Sequence, residues 1–404
     1  MDQVLYQLPD SWEWHPVKKL SHNIQYGHTA KAASNGNAKF LRITDIQGGK
    51  IDWQGVPTVS LQEKEISKYA LNNDDLIFAR SGATAGKSIL IKNAPKDAVF
   101  ASYLIRVVPN QEKIFPEYLS YFFLTPAYWE VVSQNAAGAA QPNINGTKLS
   151  EFIVPVAPQE VQKRIVGKLD ALLTRIDTAI EYLQESVELT DAFSKSGLSE
   201  IFVELKKNHE VVPLSSVVKI NSGTSLPKLF KNGFNDGDIP FFKVAQMNNH
   251  HENMVAPEIK FNEKIAKEHK IKLFPKGSTL IPKRGGAILT NKKRMLLEDA
   301  SYDSNIMGLK ADESKITDDY LFAFMRIIDL ANFVDASTIP QVNNKHIDQM
   351  QIPLASLDEQ TDVVRRVNML VQKVEAMNSE IQSQLNELLA LKSSILDSAF
   401  KGEL

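Results

Sequence analysis

The feature that most constrains this sequence is an internal duplication with a constant spacing of 198 residues. Four matched pairs keep that spacing without a gap: Pro142 with Pro340, Asn145 with Asn343, Pro155 with Pro353, and Gln162 with Gln360. A repeat of this size predicts two copies of one structural unit. The length of 404 residues agrees, because a chain this long normally divides into at least two domains.

Weaker matches extend the duplication upstream. They are Gly27 with Gly223, Arg80-Ser81-Gly82 with Arg284-Gly285-Gly286, and Tyr118-Leu119 with Tyr320-Leu321, at spacings from 196 to 204 residues. Small insertions in surface loops would explain the variation in spacing. We therefore expect two globular domains that share a fold and differ in detail.

An apolar stripe with steps of three and four residues follows each repeated segment, which indicates an amphipathic helix. Its candidate pairing or partner-contacting residues are Ile165, Leu169, Leu172, Ile176, Leu183, Val363, Val367, Leu370, Val374 and Ile381, with Ala179 and Met377 between them. Each helix could run for about 40 residues, or roughly 60 Å. A single stripe would pack on the core of its own domain. Two stripes in one register favour pairing of the helices with each other, and the connectivity of the chain then makes the pair antiparallel.

The resulting prediction is an α+β fold in which two similar domains are separated by two long helices that form an antiparallel coiled coil. The expected parts are residues 1–157 for the first domain, 158–205 for the central helix, 206–355 for the second domain and 356–404 for the C-terminal helix. In this arrangement the length of the helices would set the distance between the domains.

The chain contains no cysteine, which excludes a disulfide framework, a thiolate metal site and a cysteine nucleophile. Residues 1–10 lack the basic and apolar segments of a secretory signal, and no apolar run reaches about 18 residues. We expect a cytoplasmic protein without a membrane span.

Segments that imitate catalytic motifs fail on spacing or context. Residues 82–88 resemble a phosphate-binding loop, but three residues separate the glycines where that loop has four, and a predicted strand follows. Asp238 and Glu258 imitate the acidic spacing of some nucleases, although the first copy has no counterpart. His250-His251 lacks a second pair at ligand spacing. We expect no catalytic residue, metal site or cofactor on this chain.

The formal net charge of −2 hides an uneven distribution of charge. Residues 206–300 hold 17 Lys and Arg against 9 Asp and Glu, whereas residues 301–404 hold 9 against 16. Duplex DNA is bound largely through neutralisation of its phosphates, so the basic region is a candidate contact surface. Lys292-Lys293-Arg294 is its densest cluster. Phosphate contact is predicted there, with an ordinary solvated face as the alternative.

Two loops follow one plan that suits DNA contact. A predicted strand ends at Arg80 in the first copy and at Lys283-Arg284 in the second, and glycines follow in both. Such a loop can place a cation on a phosphate or on a guanine edge, although a structural turn explains the glycines equally well. Amides in 141–145 and 341–343 suit adenine edges, with turn-forming asparagine as the alternative. The full candidate DNA-contacting set is Gly27, Thr29, Arg42, Thr44, Arg80, Ser81, Lys87, Gln141, Asn143, Asn145, Lys243, Gln246, Lys283, Arg284, Lys292, Lys293, Arg294, Gln341, Asn343 and Lys345.

Essentially the whole chain resembles the specificity subunit of a type I restriction-modification system. The resemblance rests on Leu8-Pro9-Asp10-Ser11-Trp12, the Arg80-Ser81-Gly82 loop, the helix starts Glu160-Val161-Gln162 and Asp358-Glu359-Gln360, and the closing segment 391–404, of which 192–202 is a degraded copy. In that copy Leu198 and Phe202 match Leu396 and Phe400.

The resemblance implies that each domain is a target recognition domain for half of an asymmetric, bipartite site in double-stranded DNA. It also implies that the helices fix the unread spacer and dock two modification subunits, which carry S-adenosylmethionine and methylate adenine. Restriction subunits would supply cleavage with ATP and magnesium, while this chain would bind no cofactor. A scaffold that joins two protein-binding modules through a coiled coil is the main alternative, and a nuclease or single-chain modification enzyme is the second.

Overall fold

The computed structural model describes residues 6–136, 143–231, 233–334 and 339–404. The chain divides into two compact units. The first unit consists of residues 1–184 and 382–404, and the second of residues 185–381. Each unit therefore contains one globular part and one half of each of two long helices.

Among its described residues, the globular part of the first unit contains eleven short strands and four α-helices, and a fifth α-helix leaves it. The strands are β1 Glu13–Pro16, β2 Ser21–Tyr26, β3 Ala38–Leu41, β4 Ile46–Gln47, β5 Lys50–Ile51, β6 Thr58–Val59, β7 Leu76–Ala79, β8 Ser88–Leu90, β9 Ala98–Phe100, β10 Leu104–Pro109 and β11 Ile153–Val156. The helices are α1 Glu63–Tyr69, α2 Pro116–Phe122, α3 Pro126–Ala136, α4 Gly146–Glu151 and α5 Gln159–Asn208.

The central sheet of the first unit is antiparallel, with strand order β2-β10-β7-β8. Every side chain of β7 is buried, because the sheet is covered on both faces. Leu76 and Phe78 belong to the main core, and Ile77 belongs to a smaller core on the opposite face. A strand that is buried on both faces explains the continuous apolar run Leu76-Ile77-Phe78-Ala79. Its end is the position from which Arg80 leaves the sheet.

The second unit repeats this architecture. Its strands are β12 Val211–Pro213, β13 Val218–Ser222, β14 Phe234–Asp236, β15 Ile239–Phe242, β16 Ile259–Phe261, β17 Thr279–Pro282, β18 Arg294–Met295, β19 Ser301–Tyr302, β20 Ile306–Ala311 and β21 Gln351–Pro353. Its helices are α6 Glu263–Glu268, α7 Asp318–Ile327, α8 Asn344–Gln349 and the long α9 Leu357–Lys401. The strand order β13-β20-β17-β18 matches β2-β10-β7-β8, while the smaller sheet β14-β16-β15-β19 has one strand more than its counterpart β6-β3-β9.

Two buried glutamines show the duplication at atomic detail. Gln162 and Gln360 are fully buried near the starts of α5 and α9. The Oε1 atom of each accepts a backbone N–H at 2.9 Å, from Phe115 in the first unit and from Thr317 in the second. Each Nε2 donates to two backbone carbonyl oxygens. Because a buried amide must be hydrogen-bonded, this shared pattern explains the match at 198 residues.

The helices α5 and α9 have 50 and 45 residues, and they pack against each other in opposite directions. In the second unit Arg366 Nη2 lies 3.3 Å from Glu204 Oε2, and Gly197 lies against Leu370. Residue numbers fall along α5 as they rise along α9, which makes the pair antiparallel. The predicted α+β fold, with two similar domains and two long antiparallel helices, is confirmed.

The last turns of each long helix complete an aromatic core. In the first unit the ring of Phe400 lies 4.8 Å from that of Tyr118, and Lys392 Nζ donates to Asp177 Oδ1 at 2.5 Å. In the second unit Phe202 lies 5.8 Å from Tyr320. The predicted correspondence of Phe202 with Phe400 is therefore structural, since each ring packs on the matching tyrosine of a unit.

The apolar stripe is largely buried, with two exceptions, Leu172 and Met377, of which Met377 is 49% exposed. Ile165, Leu169, Ile176, Val363, Val367 and Val374 are buried, and Leu183, Leu370 and Ile381 are half-buried. Leu172 was expected in this set but is 37% exposed, while Leu173 is 4% exposed. From Leu169 the buried face continues in a four-residue step to Leu173 and a three-residue step to Ile176, so Leu172 is rotated away by about 100°.

Both interpretations of the stripes hold. Ile165 and Leu169 join the core of the domain that precedes α5, together with Leu396 of α9. Val363 and Val367 likewise join the core of the second unit. Packing on the helix's own domain and pairing of the helices therefore occur together. Within the described residues, no helix has the length and apolarity needed to cross a membrane.

Candidate nucleic-acid interface

The end of β7 fixes the backbone of Arg80 on both sides. Its N–H donates to the carbonyl of Tyr103 at 3.0 Å, and its carbonyl accepts the N–H of Ile144 at 2.8 Å. The next residue, Ser81, forms a β-bridge with Asn143. The structure thus brings together two segments predicted as candidate contacts, the Arg80 loop and the asparagine segment before α4.

The Arg80 side chain is held by Tyr26, the last residue of β2. The guanidinium carbon lies 5.2 Å from the centre of the Tyr26 ring, within the range of a cation–π interaction. The hydroxyl of Tyr26 accepts the N–H of Gly146 at 2.6 Å, which fixes the ring at the start of α4. The Nε of Arg80 is buried without a hydrogen-bond partner among the described residues. Tyr26 was not among the contacts predicted from the sequence, although it directly precedes the matched Gly27.

The second unit builds the same site from different side chains. The N–H of Lys283 donates to the carbonyl of Asn305 at 2.7 Å, and the carbonyl of Lys283 accepts the N–H of Val342 at 3.0 Å. Lys283 Nζ donates to Ser222 Oγ at 2.9 Å. Ser222 ends β13 as Tyr26 ends β2, and it precedes the matched Gly223. Ser222 was likewise not among the predicted contacts.

This geometry corrects the alignment of the two loops by one residue. Arg80 corresponds to Lys283, not to Arg284, because the same two backbone bonds hold both. Gly82 and Gly285 follow two residues later, with φ angles of +81° and +73°. Arg284 therefore occupies the position of Ser81, where it is exposed and forms a β-bridge with Gln341. Insertions between the matched strands made the true register unreadable from the sequence.

Gly27 and Gly223 occupy equivalent positions at which no side chain fits. A Cβ on Gly27 would lie 2.2 Å from the carbonyl oxygen of Ala101, and one on Gly223 would lie 2.0 Å from that of Asp303. Packing within each unit explains both glycines. Thr29, two residues beyond Gly27, is exposed.

Arg42 and Lys243 begin equivalent turns and are paired within their own units. The guanidinium of Arg42 donates to both oxygens of Asp45, at 3.1 and 2.7 Å, and this hydrogen bonding raises the pKa of Arg42. Lys243 lies 3.1 Å from Glu258, and its backbone N–H donates to Gln246 at 2.9 Å. Thr44, beside Arg42, is exposed.

The predicted phosphate contact by the Lys292-Lys293-Arg294 cluster is wrong for two of its three residues. Lys293 and Arg294 are only 7% and 6% exposed. Lys293 Nζ donates to Asn291 Oδ1 at 2.7 Å and to the Ile328 carbonyl, and burial lowers its pKa to about 8. Arg294 donates to the carbonyl of Lys293 and, at 2.8 Å, to that of Asn249. Both cations connect segments of the chain through these hydrogen bonds. Lys292, the third residue of the cluster, is half-buried.

Two of the predicted amides are helix caps. Asn145 Oδ1 accepts the N–H of Lys148 at 2.8 Å to cap α4, and Asn343 Oδ1 accepts that of Lys345 at 3.0 Å to cap α8. Helix capping is the usual use of asparagine at such a position. Gln141 lies outside the described residues. Besides Thr29 and Thr44, the exposed candidates are Lys87, Asn143, Arg284, Gln341 and Lys345.

Comparison with known proteins identifies the class. Residues 22–189 and 206–387 match the family described as Type I restriction modification DNA specificity domain. The chain belongs to this family, and it contains two copies of the domain, as the duplication predicted.

Two curated relatives match nearly the full chain. The type I restriction enzyme StySPI specificity subunit of Salmonella potsdam is 24% identical over 98% of this chain and 90% of its own length. The type I restriction enzyme EcoKI specificity subunit of Escherichia coli K12 is 24% identical with the same coverage. The predicted resemblance to type I specificity subunits is confirmed.

Solved structures share the fold. A chain from a study of complex assembly and conformational transition in a type I R-M system has a TM-score of 0.77 at 19% identity, covering 99% of this chain and all of that one. The HsdS subunit from Thermoanaerobacter tengcongensis has a TM-score of 0.52 at 19% identity, with full coverage of both chains.

Proposed function

We propose that this chain is the non-catalytic, DNA-reading subunit of a type I restriction-modification complex, and that each unit reads one half of a bipartite site. One observation carries the proposal. The two units share a fold but place different side chains at the end of the matching strand, Arg80 with Ser81 in one unit and Lys283 with Arg284 in the other. Similar scaffolds with unlike contact residues suit an asymmetric DNA site.

The half-buried and exposed cations and amides near these loops are the proposed DNA contacts. Arg80, Lys87 and Asn143 would act in the first half-site, and Lys283, Arg284 and Lys345 in the second. Cations that already pair within a unit, such as Arg42, are weaker candidates because DNA must compete with a carboxylate for them. Base contacts would supply specificity and phosphate contacts would supply affinity.

The long helices α5 and α9 are proposed to set the unread spacer and to dock two modification subunits. Those subunits would carry S-adenosylmethionine and methylate adenine in each half-site, and restriction subunits would add ATP- and magnesium-dependent cleavage. This chain itself would bind no cofactor and would act in the cytoplasm. Family membership supports the assembly, since curated relatives are named as subunits of type I restriction enzymes.

Methylome sequencing tests the proposal directly. Cells that express this chain with the modification subunit of its own system should show methylated adenine in one bipartite motif. Cells that express either protein alone should show none. Absence of any motif in the combined strain would refute the proposal, and so would methylation or cleavage by the purified chain alone.

DNA binding separates the proposal from a scaffold. The complex of this chain with its modification subunit should bind duplex DNA with an affinity that falls steeply as salt rises. Lack of salt-sensitive binding would favour a scaffold that joins two protein-binding modules.

A further inference from the structure

The last residue of the first strand of the central sheet contacts the strand-end cation in both units. Tyr26 of β2 lies opposite Ile105 of β10, and Ser222 of β13 lies opposite Met307 of β20. Tyr26 holds Arg80 against its ring, and Ser222 accepts a hydrogen bond from Lys283 at 2.9 Å. The contact is conserved between the two units although both partners differ.

We propose that Tyr26 and Ser222 are positioning residues, and that Tyr26–Arg80 and Ser222–Lys283 are the matching base-reading pairs of the two half-sites. This inference rests on the proposed function. It adds that Arg80 and Lys283 occupy equivalent positions, and it names the residue that orients each of them. Tyr26 and Ser222 would act through the cation and would themselves need no contact with a base.

The environment of Arg80 favours base reading over a loose phosphate contact. Its Nε is buried, and its guanidinium lies over a ring that a hydrogen bond at 2.6 Å fixes to the start of α4. These contacts restrict the side chain before DNA arrives, which lowers the entropy cost of binding. Among the described residues the guanidinium has no hydrogen-bond acceptor. Its planar fork can therefore donate two bonds to guanine O6 and N7.

The second unit holds its cation differently. An ammonium group carries three donor hydrogens on a flexible stem, and the bond to Ser222 uses only one of them. Lys283 would therefore act as a point charge with less directional preference than Arg80. We expect the first unit to specify a guanine strictly and the second unit to tolerate more bases at the matching position.

The test is a set of substitutions in the full chain, co-expressed with its modification subunit and analysed by methylome sequencing. Arg80→Lys keeps the charge and removes the bidentate fork, while Tyr26→Leu removes the ring. Each should lower discrimination at one guanine of one half-site by about tenfold or more. The other half-site should stay unchanged. Tyr26→Phe keeps the ring and should restore most of the discrimination that Tyr26→Leu loses.

Two further variants complete the experiment. Ser222→Ala should alter base preferences only in the half-site read by the second unit, which Tyr26→Leu leaves unchanged. Lys96→Gln removes an exposed charge of the first unit outside these loops and should preserve the whole motif. Thermal unfolding of each variant shows whether it is folded, and the charge-conserving change Arg80→Lys keeps the test decisive if Tyr26→Leu does not fold.

The outcomes separate this inference from the proposed function. Absence of a bipartite motif with the unchanged chain would refute the proposed function. A normal motif with the unchanged chain, together with an equal loss of methylation at all sites in Arg80→Lys, would overturn the inference and make Arg80 a phosphate contact. An unaltered motif in both Arg80→Lys and Tyr26→Leu would overturn it as well.

Discussion

Replacing Gln162 by alanine is expected to destabilise the first unit by about 2 to 4 kcal/mol. The side chain is fully buried, and its Nε2 donates to the carbonyls of Lys113 at 3.2 Å and Ala157 at 2.8 Å, while Oε1 accepts the N–H of Phe115. Alanine replaces none of these bonds. An unsatisfied buried donor costs about 1 to 3 kcal/mol, and the cavity left by the amide adds to that cost.

Tryptophan fluorescence reports this change selectively, because all four tryptophans, at positions 12, 14, 53 and 129, lie in the first unit. With a denaturation slope of about 3 kcal/mol per molar urea, a loss of about 3 kcal/mol lowers the midpoint by about 1 M. Gln360→Ala removes the matching bonds from the second unit. It should lower the urea midpoint measured by circular dichroism. The midpoint measured by tryptophan fluorescence should stay unchanged if the units unfold independently.

Gln159→Ala is the matched control. Gln159 is the exposed first residue of α5, and its side chain makes one bond, to the carbonyl of Glu112. We expect its replacement to cost less than about 0.5 kcal/mol. A tryptophan midpoint that moved no further in Gln162→Ala than in Gln159→Ala would refute the conclusion that the buried amide joins α5 to its domain.

Three further predictions address the helices and the buried lysine. Deleting residues 185–191 of α5 together with 378–384 of α9 removes about 10 Å from each helix. The spacer of the methylated motif should then be shorter by roughly three base pairs. An unchanged spacer would contradict a role of the helices in setting it. In urea denaturation, Leu173→Ala should lower the free energy of unfolding by about 2 to 4 kcal/mol and Leu172→Ala by less than about 1 kcal/mol. Equal losses in the two variants would contradict the burial of Leu173 in place of Leu172. Burial lowers the pKa of Lys293 to about 8, so the folded state binds fewer protons than the unfolded state between that pH and the ordinary lysine value. Stability should therefore rise across this interval, and Lys293→Met should flatten the rise; an identical pH profile in the two proteins would argue against a buried charge.

The sequence predicted best those parts of the fold in which no insertion separates the two copies. From Pro142 to Leu183 every match keeps one spacing, so the helix starts, both buried glutamines and the apolar stripes could be aligned in one register. Helical periodicity then predicted the buried face, except at the exposed Met377 and at Leu172, where the seven-residue repeat allows either of two adjacent leucines.

The candidate interface was less predictable because it depends on contacts between distant segments. Arg80 pairs with Tyr26, and Lys283 with Ser222, across strands whose spacing between copies differs from that of the loops. Lys293 and Arg294 look like a surface cluster in the sequence. Their burial depends on carbonyl groups of Ile328 and Asn249, which no local pattern reveals.

The contact between Phe400 and Tyr118 has a consequence for synthesis of the protein. The first unit closes its aromatic core with a residue about 280 positions further along the chain, whereas the second unit is continuous in sequence. During translation the second unit can therefore finish folding while the first still lacks its final ring. A polypeptide released before position 400 would carry one complete domain and one open core with exposed aromatic surface.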